Sequence, residues 1–405
     1  MKNDRIQALA EAYGTPLYIF DTKALCERAE AIKSLLPAGV SFCYSVKANP
    51  FLIPALAGSL DRFEVCSPGE LLICEALKKK GCDVLSDIVY SGVSRTKADC
   101  GAAIAADVHI YTAESVRQLS LLNEAAEEAG KEIPVLLRLS AGSQFGMSEE
   151  DLLWAIDHRD RFLRCRIEGI HYFVGTQRKK LERQKKELIK LADLFERIRT
   201  EHGVTLSKFE YGPGLYVPLF EGDDFSDTLA PAKELFPALA PLAEKLEVTV
   251  EMGRFLATEC GTYATKVMDV KNTGDKRYAI TDGGINHVSY AGSVMGMKVP
   301  VVTHIKRGIA VDPDEFRTEC AGQQEWAVCG SLCTTNDDLV RAASFTDLAP
   351  GDFLAFSNIG AYSVTESMYL FLSRTLPEIL LVNGDDVKVA RPFRESADIN
   401  TPIDF

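Results

Sequence analysis

Ser41-Phe42-Cys43-Tyr44-Ser45-Val46-Lys47-Ala48-Asn49-Pro50 decides how this chain folds. Its first half is apolar and rich in β-prone residues, which predicts a buried strand over 41–46. Asn49-Pro50 then breaks the strand. Lys47 is left at the lip of apolar structure, partly desolvated. Desolvation lowers an amine's pKa and makes it a usable nucleophile. A lysine at a strand end is by default simply solvated; the company that Lys47 keeps argues for more.

Working outward, further strands are predicted at 17–20, 62–65, 88–90, 108–111, 134–139, 167–173, 209–211 and 248–251. Helical periodicity falls between them, over 68–80, 96–106, 114–129, 149–157, 179–202 and 230–245. Counted from the strand at 41–46, eight strands alternate mostly with helices over about 215 residues, the size of a (β/α)8 barrel. A doubly wound open sheet is the alternative, but no GxGxxG follows the first strand. Beyond about residue 256 the helical rhythm stops, and strands at 262–267, 278–281, 299–302 and 378–382 stand between Gly, Asp and Asn turns. The expected architecture is an α/β TIM barrel over 22–255, with a second, β-rich domain formed by 1–21 and 256–405.

Size and composition agree with this. The 405 residues exceed one ordinary core. The formal charge of −13 argues against nucleic acid and anionic membranes as partners, and no apolar run is long enough to span a bilayer. The eleven cysteines are scattered and odd in number, which suits a reducing cytoplasm. The six histidines are dispersed, so no metal site is expected.

In such a barrel, chemistry sits at the C-terminal strand ends. Lys47 closes the first strand, Phe173-Val174-Gly175-Thr176-Gln177 the sixth, Gly212-Pro213-Gly214 the seventh and Glu251-Met252-Gly253-Arg254 the eighth. Glycine turns that lead into helices offer backbone N–H groups to a phosphate. A carboxylate suits a cationic ring nitrogen. With a nucleophilic lysine these describe a site for pyridoxal 5'-phosphate. Singly, each is weak: a Gly-Pro-Gly is usually just a turn, and a lone Glu251 usually a surface acid.

Over nearly its whole length the chain resembles the fold-type III pyridoxal-phosphate decarboxylases, the diaminopimelate, ornithine/arginine and carboxynorspermidine enzymes. The carriers are Tyr44-Ser45-Val46-Lys47-Ala48-Asn49, Ser67-Pro68-Gly69-Glu70-Leu71, Gln144-Phe145-Gly146-Met147, residues 169–177, Glu251-Met252-Gly253-Arg254, residues 330–337 and Gly360-Ala361-Tyr362. The resemblance implies that Lys47 holds the cofactor as a Schiff base and that Glu251 pairs with its ring nitrogen. It implies that Thr176, Gly212, Gly214 and Gly253 line the phosphate site, with Tyr362 donating from the second domain, and that Arg254 touches both cofactor and substrate. Cys333 would return a proton to Cα, reaching the site from the partner subunit of a homodimer; otherwise it is a buried structural cysteine. Amino-acid racemases share the barrel, and a non-catalytic cofactor-binding homologue is the third alternative.

Departures from the family pattern bear on the substrate. Phe173 stands where the family stacks a histidine on the cofactor, and His171 lies two residues earlier on the same strand face. In the diaminopimelate enzymes an acid follows the motif cysteine; here it is Thr334. Their arginine and tyrosine for the distal carboxylate align with Tyr290 and Val294. Unpaired buried charges cost several kcal/mol each, so diaminopimelate itself is disfavoured, and a modified, acidic or carrier-linked amino acid is expected. Asp337 or Asp338 could meet a distal ammonium; otherwise Asp337 caps a following helix. Arg178-Lys179-Lys180 oppose the dipole of the next helix and could hold a distal carboxylate or a carrier phosphate; otherwise they form a solvated basic face.

Overall fold

The computed structural model describes residues 1–290, 298–308, 318 and 320–403. They divide into two compact units, one of Cys26–Val217 with Ser226–Leu256, the other of Met1–Leu25, Pro218–Phe225 and Ala257–Phe405. The segment Pro218–Phe225, counted with the barrel from sequence, therefore belongs to the β-rich unit.

The first strand, β1 (Leu17–Asp21), lies in the β-rich unit. The next eight are β2 (Ser41–Ser45), β3 (Arg62–Val65), β4 (Ile88–Tyr90), β5 (Ile110–Ala113), β6 (Ile133–Leu139), β7 (Cys165–Phe173), β8 (Lys208–Gly212) and β9 (Glu247–Met252). They form a closed parallel barrel, sealed where Ser41 to Tyr44 of β2 pair with Thr249 to Met252 of β9. Several helices begin where a side chain can satisfy their open N–H groups. Ser67, Ser115 and Ser148 each accept a bond from the third residue on, and Thr96 and Asp99 form a reciprocal capping box.

The barrel interior is divided by chemistry. Cys43, Val89, Ile110 and Leu136 from β2, β4, β5 and β6 form one apolar cluster. From β3, β7, β8 and β9 come Glu64, His171, Glu210 and Glu251, each no more than 5% exposed. A barrel filled for stability alone would carry branched aliphatics there.

Two expectations shift slightly. Strand β2 ends at Ser45, and Lys47 lies in a single 3-10 turn, Val46–Ala48, between two fully buried neighbours. The expected strand at 108–111 begins at Ile110.

In the second unit β10 (Gly261–Thr273), β11 (Lys276–Thr281), β12 (Val302–Ile305), β13 (Gln323–Cys329), β14 (Asp338–Thr346), β15 (Phe353–Ser357), β16 (Glu378–Asn383) and β17 (Asp386–Arg391) join β1 in a nine-stranded sheet. Strand β1 runs antiparallel to β10 and parallel to β16, so the early strand does belong here. The expected strand at 299–302 lies three residues later, as β12, beyond Pro300, which has no N–H to give a ladder. Ile6, Leu9 and Ala10 of the first helix, Asn3–Tyr13, bury against Leu17, Ile19, Phe353 and Leu380.

Candidate active site

Lys47 Nζ lies 2.7 Å from Glu64 Oε2 and 3.4 Å from Cys66 Sγ. Burial by itself would raise the Glu64 carboxyl, but the Lys47 charge and hydrogen bond outweigh it and bring the group down to about 2. Burial pushes the Cys66 thiol up, so it stays protonated beside the amine.

On β9, Glu251 Oε2 lies 3.2 Å from His171 Nε2, and both side chains are at most 4% exposed. This carboxylate also faces Gly212, where an added Cβ would fall 2.4 Å from Glu251 Oε1 and 2.3 Å from the Phe173 ring. Only glycine leaves room for Phe173 and Glu251 to meet.

Two residues below Gly212, Glu210 is raised well above the carboxylate range, first by burial and then by Glu251 and Glu64. Its Oε1 has no partner among the described residues. Arg138 pairs with Glu114 at 2.7 Å and sets its guanidinium 6.0 Å from the Phe173 ring centre. Glu114 in turn accepts from Gly146 N, which pins the loop after β6.

Backbone closes the far side. Gly214 has φ +57°, and a Cβ there would lie 1.7 Å from the Gly175 carbonyl. A Cβ on Gly253 would press on that of Ala48 at 2.9 Å. Arg254 Nε donates to Thr176 Oγ1 at 3.2 Å, and Arg254 is 7% exposed. Lys47, Phe173, Thr176, Gly212, Gly214, Glu251, Gly253 and Arg254, all named from sequence, thus stand on the loops and strand ends of one barrel mouth. An amine, a flat ring beside a buried carboxylate, and glycine turns with an arginine fit a phosphorylated, cationic aromatic aldehyde.

A family model described as pyridoxal-dependent decarboxylase, C-terminal sheet domain, matches residues 17–360. The chain belongs to this family. It is a pyridoxal-phosphate-dependent amino-acid decarboxylase, a carboxy-lyase. The chain is similar to the diaminopimelate decarboxylase of Aquifex aeolicus (strain VF5), 26% identical over 97% of this chain and 92% of that protein. It is 26% identical to the L-glutamyl-[BtrI acyl-carrier protein] decarboxylase of Niallia circulans, over 94% and 91%. It is also 26% identical to the 2-[(L-alanin-3-ylcarbamoyl)methyl]-2-hydroxybutanedioate decarboxylase of Staphylococcus aureus (strain NCTC 8325 / PS 47), over 92% and 96%.

Other residues named from the sequence lie in the β-rich unit. Cys333 is exposed, not buried, in the turn between β13 and β14, and Thr334 follows it. Tyr362 has φ +68°, a strained value for a non-glycine residue, and its carbonyl accepts from Thr365 N and Glu366 N.

Three residues expected to meet the substrate make other contacts here. Asp337 is 2% exposed and accepts from Ile285 N and Leu332 N at 2.8 and 2.7 Å. It clamps two loops, and a strand follows it, not a helix. Tyr290 is buried, with its hydroxyl donating to the Ser357 carbonyl at 2.8 Å. Arg178 is turned to Glu187 at 2.6 Å, so its charge is neutralised within the barrel unit. Val294 lies outside the described residues.

Sequence reasoning missed Glu64, Glu210, Arg138 and Glu114. The signal was an acid inside a short apolar strand, as in Arg62-Phe63-Glu64-Val65 and Phe209-Glu210-Tyr211. It also took the dispersed histidines to exclude a metal. Among the described residues one group, Glu64, His171 and Glu251, holds its ligand atoms within 4.8 Å of one another. The Lys47 ammonium already occupies Glu64 there. No described helix is long and apolar enough to cross a membrane.

Proposed function

We propose that this decarboxylase acts on an amino acid whose distal end is acidic, acylated or carrier-linked, in a homodimer whose sites are shared. The observation that carries the substrate is the pair Thr334 and Tyr290. The first is uncharged, and the second spends its hydroxyl on Ser357, so neither offers a distal charge its partner. The Niallia and Staphylococcus relatives support this, since their names specify a carrier-linked glutamyl group and an alanine joined to a hydroxybutanedioate. The Aquifex relative favours diaminopimelate as the second reading. Eleven free cysteines support a reducing, cytoplasmic setting.

Bound in the barrel mouth, the cofactor supplies a ring that accepts the electron pair released when carbon dioxide leaves. Lys47 anchors the cofactor, and Glu64 holds the lysine's ammonium whenever it is free of that bond. Glu251, oriented by His171, keeps a proton on the ring nitrogen. Phe173 offers a flat face and no hydrogen bond. The Gly175, Gly214 and Gly253 turns, with Thr176 and Arg254, hold the phosphate, and Tyr362 adds a donor. Cys333 returns a proton to Cα.

The substrate assignment is tested by kcat/KM on diaminopimelate, lysine, ornithine, glutamate and carrier-linked glutamate. Diaminopimelate is expected to fall about 10⁴-fold below the best, the usual penalty for unpaired buried polar groups. Efficient turnover of diaminopimelate with the others silent would overturn the proposal.

The shared site is tested by mixing inactive Lys47→Ala with inactive Cys333→Ala subunits. A heterodimer carries one site with both residues intact, so part of the activity returns. No recovery after verified subunit exchange would show that each site is built within one chain.

A further inference from the structure

The helix after β7, Leu181–Glu201, carries charge unlike that of the rest of the molecule. From Arg178 to Arg199 there are nine lysines and arginines against four acids, a local excess of five positive charges in a chain of −13. The remainder therefore carries −18. Arg183, Lys186, Lys190 and Arg197 follow one another at helical spacing and line a groove of about 730 Å³ with the acids Glu149, Glu187 and Asp193. Arg183 and Arg197 are partly countered by Glu187 and Glu149. Lys186 and Lys190 are exposed and make no ion pair among the described residues. Between them Ile189 is 62% exposed, an apolar contact framed by cations.

The helix leaves the C-terminal end of β7, so its first turns flank the barrel mouth where Lys47, Glu251 and the glycine turns lie. A charge excess held on one face of an otherwise acidic protein steers an acidic partner to that face and repels it elsewhere.

Resting on the carrier-linked form of the proposed substrate, we infer that this face docks a small acidic carrier protein that presents its amino acid as a thioester on a flexible phosphopantetheine arm. Lys186, Lys190 and Arg183 meet the carrier's acids, Ile189 meets an apolar residue between them, and the arm enters the adjoining mouth. The thioester is made through the distal carboxyl, so it is unchanged by the reaction, which releases the free α-carboxylate as carbon dioxide and puts a proton in its place.

The test compares wild type with the charge-reversed variant Arg183→Glu/Lys186→Glu/Lys190→Glu on two probes. One is an acidic acyl-carrier protein loaded with glutamate. The other is the N-acetylcysteamine thioester of glutamate, which reaches the mouth without docking. On the carrier-linked probe the variant should lose about 100-fold in kcat/KM, mainly through KM, as lost steering does. On the small thioester it should match wild type, which also shows that it is folded. Added salt should raise KM on the carrier probe for wild type and leave the variant nearly unchanged. Equal activity of the two proteins on the carrier-linked probe would overturn the docking face while leaving the substrate class intact. Wild-type turnover of free amino acids with neither thioester accepted would overturn the carrier-linked substrate, and the docking face with it.

Discussion

Lys47→Ala is expected to lose covalent cofactor attachment, with absorbance near 420 nm and borohydride trapping both abolished, and turnover down by about 10⁴-fold or more. The cause is the amine's place: Glu64 holds it at 2.7 Å at the edge of the carboxylate cluster. The substitution also has a signature apart from activity. In the cofactor-free protein Glu64 sits at about 2, below its unfolded value of about 4.3. A depressed carboxyl contributes stability in full above the unfolded value and loses it as pH falls toward the folded one. Without Lys47, burial dominates and the Glu64 carboxyl moves up. The cofactor-free variant should then gain thermal stability from pH 7 to pH 5, where this pair leaves the wild type unchanged. A trapped peptide holding a different lysine, or a variant with the wild-type pH profile of melting, would refute these roles.

Glu251→Gln is expected to keep much of the cofactor and lose about 10³-fold in kcat, in the range for removing one preorganised electrostatic partner. The amide fits the space that Gly212 leaves but carries no charge to hold a proton on the ring. His171 loses its carboxylate partner too, and its Nδ1 has no hydrogen-bond partner among the described residues. Cofactor retention by absorbance together with near-normal turnover would remove Glu251 from this role.

Much of the barrel mouth was legible because its signals are local. Gly212 and Gly214 announce a turn that tolerates no side chain, and Lys47 is flagged by the apolar strand before it and by Asn49-Pro50 after it. The pairings were not. Arg178 reads as an open cation in a basic run, yet Glu187, nine residues on, takes its charge. Asp337 reads as a helix cap or an ammonium partner, and only the approach of Ile285 and Leu332 makes it a clamp.

By itself the sequence determined the alternation of strand and helix, the β-rich remainder, and which residues stand at strand ends, because periodicity and turn chemistry act over a few residues. Tertiary structure alone decided which charges meet. His171 and Glu251 are 80 residues apart and come within 3.2 Å because β8 pairs with both of their strands and the sheet curves inward. The same packing raises the Glu210 carboxyl, by removing water and placing Glu251 and Glu64 near it. Burial and Coulomb interaction depend on distance in space, and distance in space is set by strand register and closure, which no local stretch encodes.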